Sequence, residues 1–174
     1  MPVVFRGPPG ADTRLAAQHA QSLEALFANI PGLEVYAPSS PEGAKGLMAA
    51  AIRSDNPVVF LEHKLLDLGA AAVPEAAFPP RPRPHPAPGA GQLARDGIEA
   101  EVIDPRTIRP FDTATVLASV RRTNRALIVH EAPLFGGKIA AQIAEHAFDW
   151  LDAQVRQLGA PDMPVPTTTG WNAR

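Results

Sequence analysis

The chain has 174 residues, 45% hydrophobic and 20% charged, with a formal charge of −2 at pH 7 and an isoelectric point near 6.2. That balance argues against a protein whose main task is neutralising nucleic-acid phosphate or an acidic membrane surface. The absence of cysteine excludes disulfides, zinc–thiolate sites, iron–sulfur clusters and thiol nucleophiles, and it fits a cytoplasmic setting. No uninterrupted apolar run is long enough to span a bilayer, and Met1 to Arg6 has neither the charged start nor the long apolar middle of a signal peptide.

Pro2 to Phe5 is a short apolar run suited to a buried strand, followed by the turn-rich Gly7-Pro8-Pro9-Gly10. Residues 13–29 read as a helix ended by Pro31-Gly32, and Leu33 to Ala37 as a strand. Ser40-Pro41-Glu42 supplies an N-cap, a first-turn proline and an early acid. Behind it Ala44, Leu47, Met48, Ala51 and Ile52 follow the spacing of an amphipathic helix. Asp55-Asn56-Pro57 stops that helix, and Val58 to Leu61 is a continuous apolar strand.

Seven of the chain's 20 prolines then fall between Pro74 and Pro88. The alternation there favours extended polyproline II backbone and cannot bury a core face. This predicts a division into a first piece at 1–68, a linker at 69–92, a second piece at 93–166 and a tail at 167–174. In the second piece Ile98 to Ile103 reads as a strand, Asp112 caps a helix through Val116, Leu117 and Val120, and Ala126 to Val129 suits a strand buried on both faces. After Gly136-Gly137 a helical stripe runs through Ala140, Ile143, Ala144, Ala147, Phe148 and Leu151. Strands alternating with helices give an α/β class with mainly parallel sheets. Each piece is thin, so either the two share one core or each depends on a partner subunit.

Few motifs carry chemistry by themselves. Gly7 to Gly10 lies where a phosphate loop could, but its prolines remove the N–H donors a phosphate needs. Gly136-Gly137-Lys138 lacks the spacing and the hydroxyl of a P-loop and reads as a tight turn at a helix start. Of the histidines His19, His63, His85, His130 and His146, none forms a close metal pair. His19 stands in a polar cluster, Gln18 to Ser22, inside an otherwise apolar stretch. It is either a capping or core-edge histidine or a proton shuttle. His63, between Glu62 and Lys64, reads as a solvated strand-end residue. His130-Glu131 follows a buried strand, where parallel sheets gather their ligands.

Several long runs add a resemblance. PVVFRGPPG (2–10), AAQHAQSLEALFANIPGLEVYAPSSPEGAKGLMAAAIRSDNPVVFLEHKLL (16–66), GIEAEVIDPRTIRPFD (97–112), IVHEAPLFGG (128–137), IAAQIAEHAFDWLDA (139–153) and GAPDMPVP (159–166) resemble the beta subunit of thiamine-diphosphate-dependent 2-oxo acid dehydrogenases. These are the decarboxylating components of the pyruvate, acetoin and branched-chain complexes, with a transketolase-like fold. The resemblance implies two incomplete three-layer α/β/α halves, one like the pyrimidine-binding domain and one like the transketolase C-terminal domain. It implies thiamine diphosphate held jointly with an alpha subunit, which carries the magnesium, in a heterotetramer that passes an acyl group to lipoyl on a dihydrolipoyl acyltransferase core.

Within that family the QHxQ motif maps onto Gln18, His19 and Gln21, with His19 the proton-transfer residue and the two glutamines along the substrate channel. A structural potassium ion held by backbone carbonyls maps onto Val3, Ala51, Ile52, Ser54 and Asn56, with Ser54 where an acid is common. No nucleic-acid or membrane partner is implied. The departures are equally specific. The family's stretch before Met1 carries the glutamate that activates the cofactor's aminopyrimidine and the aromatic residue that stacks on it. Around the proline segment roughly one βα unit has no counterpart, and Arg/Pro/Ala/Gly-rich text in its place is what out-of-frame reading of GC-rich DNA produces. The expectation is therefore a shortened beta subunit, with a non-catalytic interaction module or a non-functional product as alternatives. The 2-oxo acid stays open.

Overall fold

The computed structural model describes residues 1–11, 15–66, 70–73, 75, 90–134 and 137–165. Most of the proline-rich stretch, His85 and the 167–174 tail lie outside the described residues. The first half runs β1 (Val3–Gly7), α1 (Ala16–His19), α2 (Glu24–Ala28), β2 (Glu34–Tyr36), α3 (Pro41–Arg53) and β3 (Pro57–Leu61). The second runs α4 (Ala90–Arg95), β4 (Thr107–Arg109), α5 (Thr113–Thr123), β5 (Leu127–Pro133), α6 (Lys138–Ala147), a 3-10 turn at Phe148–Trp150 and β6 (Arg156–Ala160).

Strand order in the larger sheet is β1-β3-β2-β4. β1 and β2 flank β3 in parallel, with Val4 opposite Val58 and Val35 opposite Val59. Because successive strand side chains face opposite ways, Val58 and Phe60 go to one face and Val59 and Leu61 to the other. The first face packs with Tyr36 against Leu47 and Ala51 of α3. The second packs with Val35 against Phe27 and Ala28 of α2 and Ile108 of β4. Helix α3 begins where the sequence signals it. Ser40 is extended and its Oγ accepts the Gly43 N–H at 3.1 Å, with Pro41 in the first turn.

The smaller sheet pairs β5 with β6 in parallel. Val120 of α5 and Ile143 and Ala147 of α6 make its core, with Ile128 and Ile139 packed against them. Asp112 caps α5 by accepting the Thr115 N–H at 3.0 Å, and Asn124 closes it in the left-handed conformation that commonly ends helices. The halves are joined by backbone. β4 runs antiparallel to β2, the Ala37 N–H donates to the Arg106 carbonyl at 2.7 Å, and Arg109 Nη1 donates to the Ala28 carbonyl at 2.9 Å.

Several expectations need correction. The helix expected over 13–29 is two short helices, interrupted where buried Ala20 turns inward and the Gln21 carbonyl accepts the Gly10 N–H instead of continuing the helix. β1 is an edge strand, and Phe5 on it is exposed. The apolar run 126–129 is not buried on both faces. α5 and α6 cover one side of β5, whereas Leu127 and Val129 on the other are 64% and 66% exposed. Of the strand expected at 98–103 only Ile103 makes a bridge. Ile52 and Phe148 fall off their helical stripes into solvent, Phe148 because the helix tightens into the 3-10 turn before it can face the core. Helix α4 starts inside the stretch expected as linker. No helix among the described residues is long and apolar enough to cross a membrane.

Leu47→Ala should destabilise the first half by about 2–5 kcal/mol, the cost of emptying a buried site. Ile52→Ala, four residues from partly buried Met48 yet itself exposed, should change stability by under about 0.5 kcal/mol. Urea denaturation of both variants checks the pair.

Candidate functional site

The carboxyl ends of β1 and β3 point at one region, where parallel sheets place their ligands. The Gly7 to Ala11 loop leaves β1 there, and α1 and α2 return across it. Between them lies an apolar-walled groove of about 760 Å³, lined among others by Pro8, Phe27 and Leu61. Gln18, His19, Gln21 and Lys64 line the same groove, so the three residues singled out in the sequence do come together. Their side chains are exposed because α1 ends at His19 and turns its polar residues outward. Lys64 fixes that end by donating to the His19 carbonyl, and the Gln21 amide donates to the Ala17 carbonyl at 2.6 Å. The His19 ring hydrogen-bonds to no other group among the described residues; it is neither a side-chain cap nor a core histidine.

The loop itself offers an anion nothing. The Gly7 and Pro9 carbonyls accept the Glu62 and Lys64 N–H groups at 3.0 and 3.3 Å, and the Gly10 N–H is already spent on Gln21. At the other turn, Gly137 stands at the N-terminus of α6, and a Cβ there would come within 3.0 Å of the Gln157 side chain.

What holds the loop is a residue from the second half. Glu131 on β5 accepts the Ala11 N–H at 3.1 Å and the Ser22 hydroxyl at 2.7 Å, and it meets His63 Nε2 at 3.2 Å. His63 Nδ1 accepts the Leu65 N–H at 3.3 Å, which leaves Nε2 as the nitrogen that donates to Glu131. The expectation of a solvated His63 is corrected by this packing. Its ring presses on Gly10, where φ is +117° and an added Cβ would lie 2.5 Å from Nε2, so only glycine fits. Burial disfavours ionisation of Glu131. The hydrogen bonds from Ser22, Ala11 and His63 outweigh it and hold the carboxyl below its ordinary value.

His130 precedes Glu131 on the strand and therefore faces the opposite side. Its Nε2 stands 3.7 Å from Glu24 Oε2, an ion-pair distance too long for a hydrogen bond. The Glu24 carboxylate raises the affinity of His130 for its proton against the opposing effect of burial, with a further attraction from Glu131. His146 lies exposed on α6 beside Glu145.

Val3, Ala51, Ile52, Ser54 and Asn56 gather at one corner. Ala51 and Ile52 end α3, Ser54 and Asn56 form its exit loop, and the strand register sets Val3 beside Pro57. Carbonyls at a helix C-terminus carry partial negative charge. Next to them Glu34 accepts hydrogen bonds from Tyr36 at 2.5 Å, Asn56 at 2.9 Å and Ser54 at 3.1 Å. Burial would raise the Glu34 pKa, but these three bonds lower it. Burial and the adjoining Glu34 push the Tyr36 hydroxyl up. No cluster of three or more His, Cys, Asp or Glu suited to a metal occurs among the described residues. The Glu131 and Glu24 partnerships escaped the sequence reading, because they join residues 68 to 120 positions apart.

Residues 1–67 match the transketolase pyrimidine-binding domain, and residues 89–170 match the transketolase C-terminal domain. The chain is 42% identical over 188 residues to a pyruvate dehydrogenase E1 component subunit beta of Rickettsia felis, covering 95% of this chain and 58% of that protein. It is 40% identical over 193 residues to the mitochondrial pyruvate dehydrogenase E1 subunit beta-1 of Arabidopsis thaliana, covering 95% and 53%. The chain thus spans a little over half the length of these relatives. The matched spans exceed the chain's 174 residues, so the relatives hold residues inside the match that have no counterpart here. Among solved structures, a split-gene transketolase described as an inactive beta4 tetramer superposes with a TM-score of 0.72 at 18% identity. That match covers 92% of this chain and 58% of the other.

The Glu131 tie predicts an acid-sensitive junction. A lowered carboxyl pKa contributes stability above the ordinary value near 4.5, and that stability is lost as pH falls through the lowered folded-state value. Glu131→Gln should lower the denaturation midpoint at pH 7 and flatten its decline below about pH 4.5, leaving the part contributed by Glu34. Equal slopes for the variant and the parent would contradict the assignment.

Proposed function

Because the chain belongs to the transketolase-like family that includes the beta subunits of 2-oxo acid dehydrogenases, we propose that it serves as such a beta subunit in oxidative decarboxylation of a 2-oxo acid. The observation that carries this reading is the groove at the β1 and β3 ends, which holds Gln18, His19 and Gln21 together beside apolar walls. A flat heteroaromatic ring such as an aminopyrimidine suits that combination of apolar faces and polar edge groups. The diphosphate does not suit it, since the Gly7 to Gly10 loop has no N–H to give. As the family resemblance implies, this reading assigns the phosphates and magnesium to an alpha subunit, in a cytoplasmic heterotetramer whose product goes to lipoyl on a dihydrolipoyl acyltransferase core.

Bound thiamine diphosphate supplies the electron sink that decarboxylation needs. His19, exposed and unencumbered, gives or takes a proton at an imidazole nitrogen, the side chain best matched to proton exchange near neutral pH. Gln18 and Gln21 orient polar substrate atoms, and Pro8, Phe27 and Leu61 exclude water. The Val3, Ala51, Ile52, Ser54 and Asn56 corner fits potassium through backbone carbonyls, with Glu34 adding charge nearby.

A second reading is a subunit-interaction module without turnover. It is favoured by the lack of any Asp or Glu among the described residues lining the groove. A proton shuttle has no task there unless a carboxylate from another segment or chain sets the cofactor's tautomer.

Co-expression with an alpha subunit decides between them. The complex should decarboxylate 2-oxo acids and acylate a lipoyl domain only when thiamine diphosphate is present. His19→Ala should cut kcat by about 10²–10⁴ while leaving alpha-subunit binding intact. Binding without thiamine-diphosphate-dependent turnover in the parent complex selects the module. In thermal melts, replacing potassium chloride by choline chloride should lower the midpoint, since a cation bound only by the folded state stabilises it.

A further inference from the structure

β5 is paired along one edge only. β6 occupies that edge, and no strand among the described residues occupies the other. In a parallel pair, alternate residues send both N–H and C=O to opposite edges. The Ala126 carbonyl accepts the Arg156 N–H at 3.1 Å, so Ala126 and Ile128 address β6. Leu127 and Val129 therefore aim their backbone groups at the open edge, where those groups meet no backbone partner among the described residues.

A second groove, of about 570 Å³, follows that edge. Its wall includes every residue from 125 to 130. Side chains that alternate between two faces cannot all line one groove unless it runs along the backbone itself. The facing wall is mixed: Ile103, Ile108, Phe111 and Val116 supply its apolar part, with Glu101, Arg109 and Thr113 among them. Glu24 also lines it, and its buried Oε2 has no hydrogen-bond partner among the described residues. A strand edge without a partner and a buried carboxylate oxygen with no hydrogen bond, only His130 Nε2 at 3.7 Å, both leave room for donors in this slot, since polar groups left without hydrogen bonds away from water cost about as much as a lost hydrogen bond.

We propose that this groove accepts an extended, mainly apolar segment of another polypeptide, which adds as a strand to the open edge of β5 and sets a lysine or arginine beside Glu24. The mode is β-augmentation, in which main-chain bonds supply affinity and alternate side chains supply selectivity. Leu127 and Val129 gain cover from the segment's side chains on the same face. This inference is independent of the catalytic reading, because none of its groups lines the His19 groove.

The probe is a capped octapeptide of alternating valine and threonine carrying one lysine, made with the lysine at either end and added to the full chain. With one of the two, amide hydrogen exchange at Leu127 and Val129 should slow by about tenfold or more, while Ile128, already bonded to β6, changes little. N-methylation of alternate peptide amides along one edge should abolish that protection, and methylation along the other should preserve it. This control leaves the folding of the chain untouched. Glu24→Gln should weaken the lysine peptide by about fivefold and leave a norleucine analogue unaffected. No slowing at saturating peptide overturns the proposal, as does protection that survives both methylation patterns. Protection that appears without peptide as protein concentration rises would also overturn it, by assigning the edge to a second copy of the chain.

Discussion

The antiparallel pairing of β4 with β2 fixes everything that follows it in the chain. Three residues of strand hold little by themselves, so the surrounding contacts matter. The Arg106 carbonyl takes the Ala37 N–H, and Arg109 reaches the Ala28 carbonyl. The buried Arg106 guanidinium meets Asp104 at 2.9 Å, while Ser39 donates to the same carboxylate. That ion pair lies within the segment and shapes it, costly to break from one side, while the Ser39 hydroxyl on Asp104 ties the segment to the first half. With the 104–109 segment tied to the first half at these points, α5 and β5 follow from it, and Glu131 arrives within hydrogen-bond reach of Ala11, Ser22 and His63.

β5 then acts through its two-residue period. Consecutive residues His130 and Glu131 face opposite ways and meet different partners. On one side Glu131 collects donors enough to stay ionised despite burial. On the other, Glu24 has only a distant imidazole, and its carboxylate keeps His130 inclined to hold a proton. That charge is a stabilising term below the ordinary histidine value and is lost as pH rises through the raised one. Of the histidines described, His63 and His130 are thus tied to carboxylates of the fold. His19 is left open on the groove, the condition a group must meet if it is to exchange protons with something else.

The legible parts of the fold are those specified by neighbours in sequence. Ser40-Pro41-Glu42 announces α3, Asp112 announces α5, and Val58 to Leu61 announces the central strand, because capping and burial on both faces leave local marks. The QHxQ cluster was legible through resemblance and through its polarity in an apolar stretch. What stayed hidden depends on distant partners. The break after His19 is made by the Gly10 N–H taking the Gln21 carbonyl. β4 exists because β2 offers it an edge. The residues at 98–102 have the composition of a strand and no strand partner among the described residues, and composition cannot report that. His63 looks solvated in sequence because Gly10 and Glu131, which enclose it, come from elsewhere.

The two halves also differ in completeness, and the difference bears on the groove. The first sheet is covered by α3 on one face and α2 on the other, as a mainly parallel sheet requires. Among the described residues the second has two strands, one covered face and an open edge, below what an isolated sheet needs for independent stability. Its order must therefore come from the helices behind it and from its ties to the first half. Glu131 is one of those ties, and it grips the loop that frames the His19 groove. A segment added to the open edge of β5 would stiffen the strand that carries Glu131, and with it the Ala11 and Ser22 anchors. Occupancy of one groove would then bear on the geometry of the other through the single strand that carries Glu131.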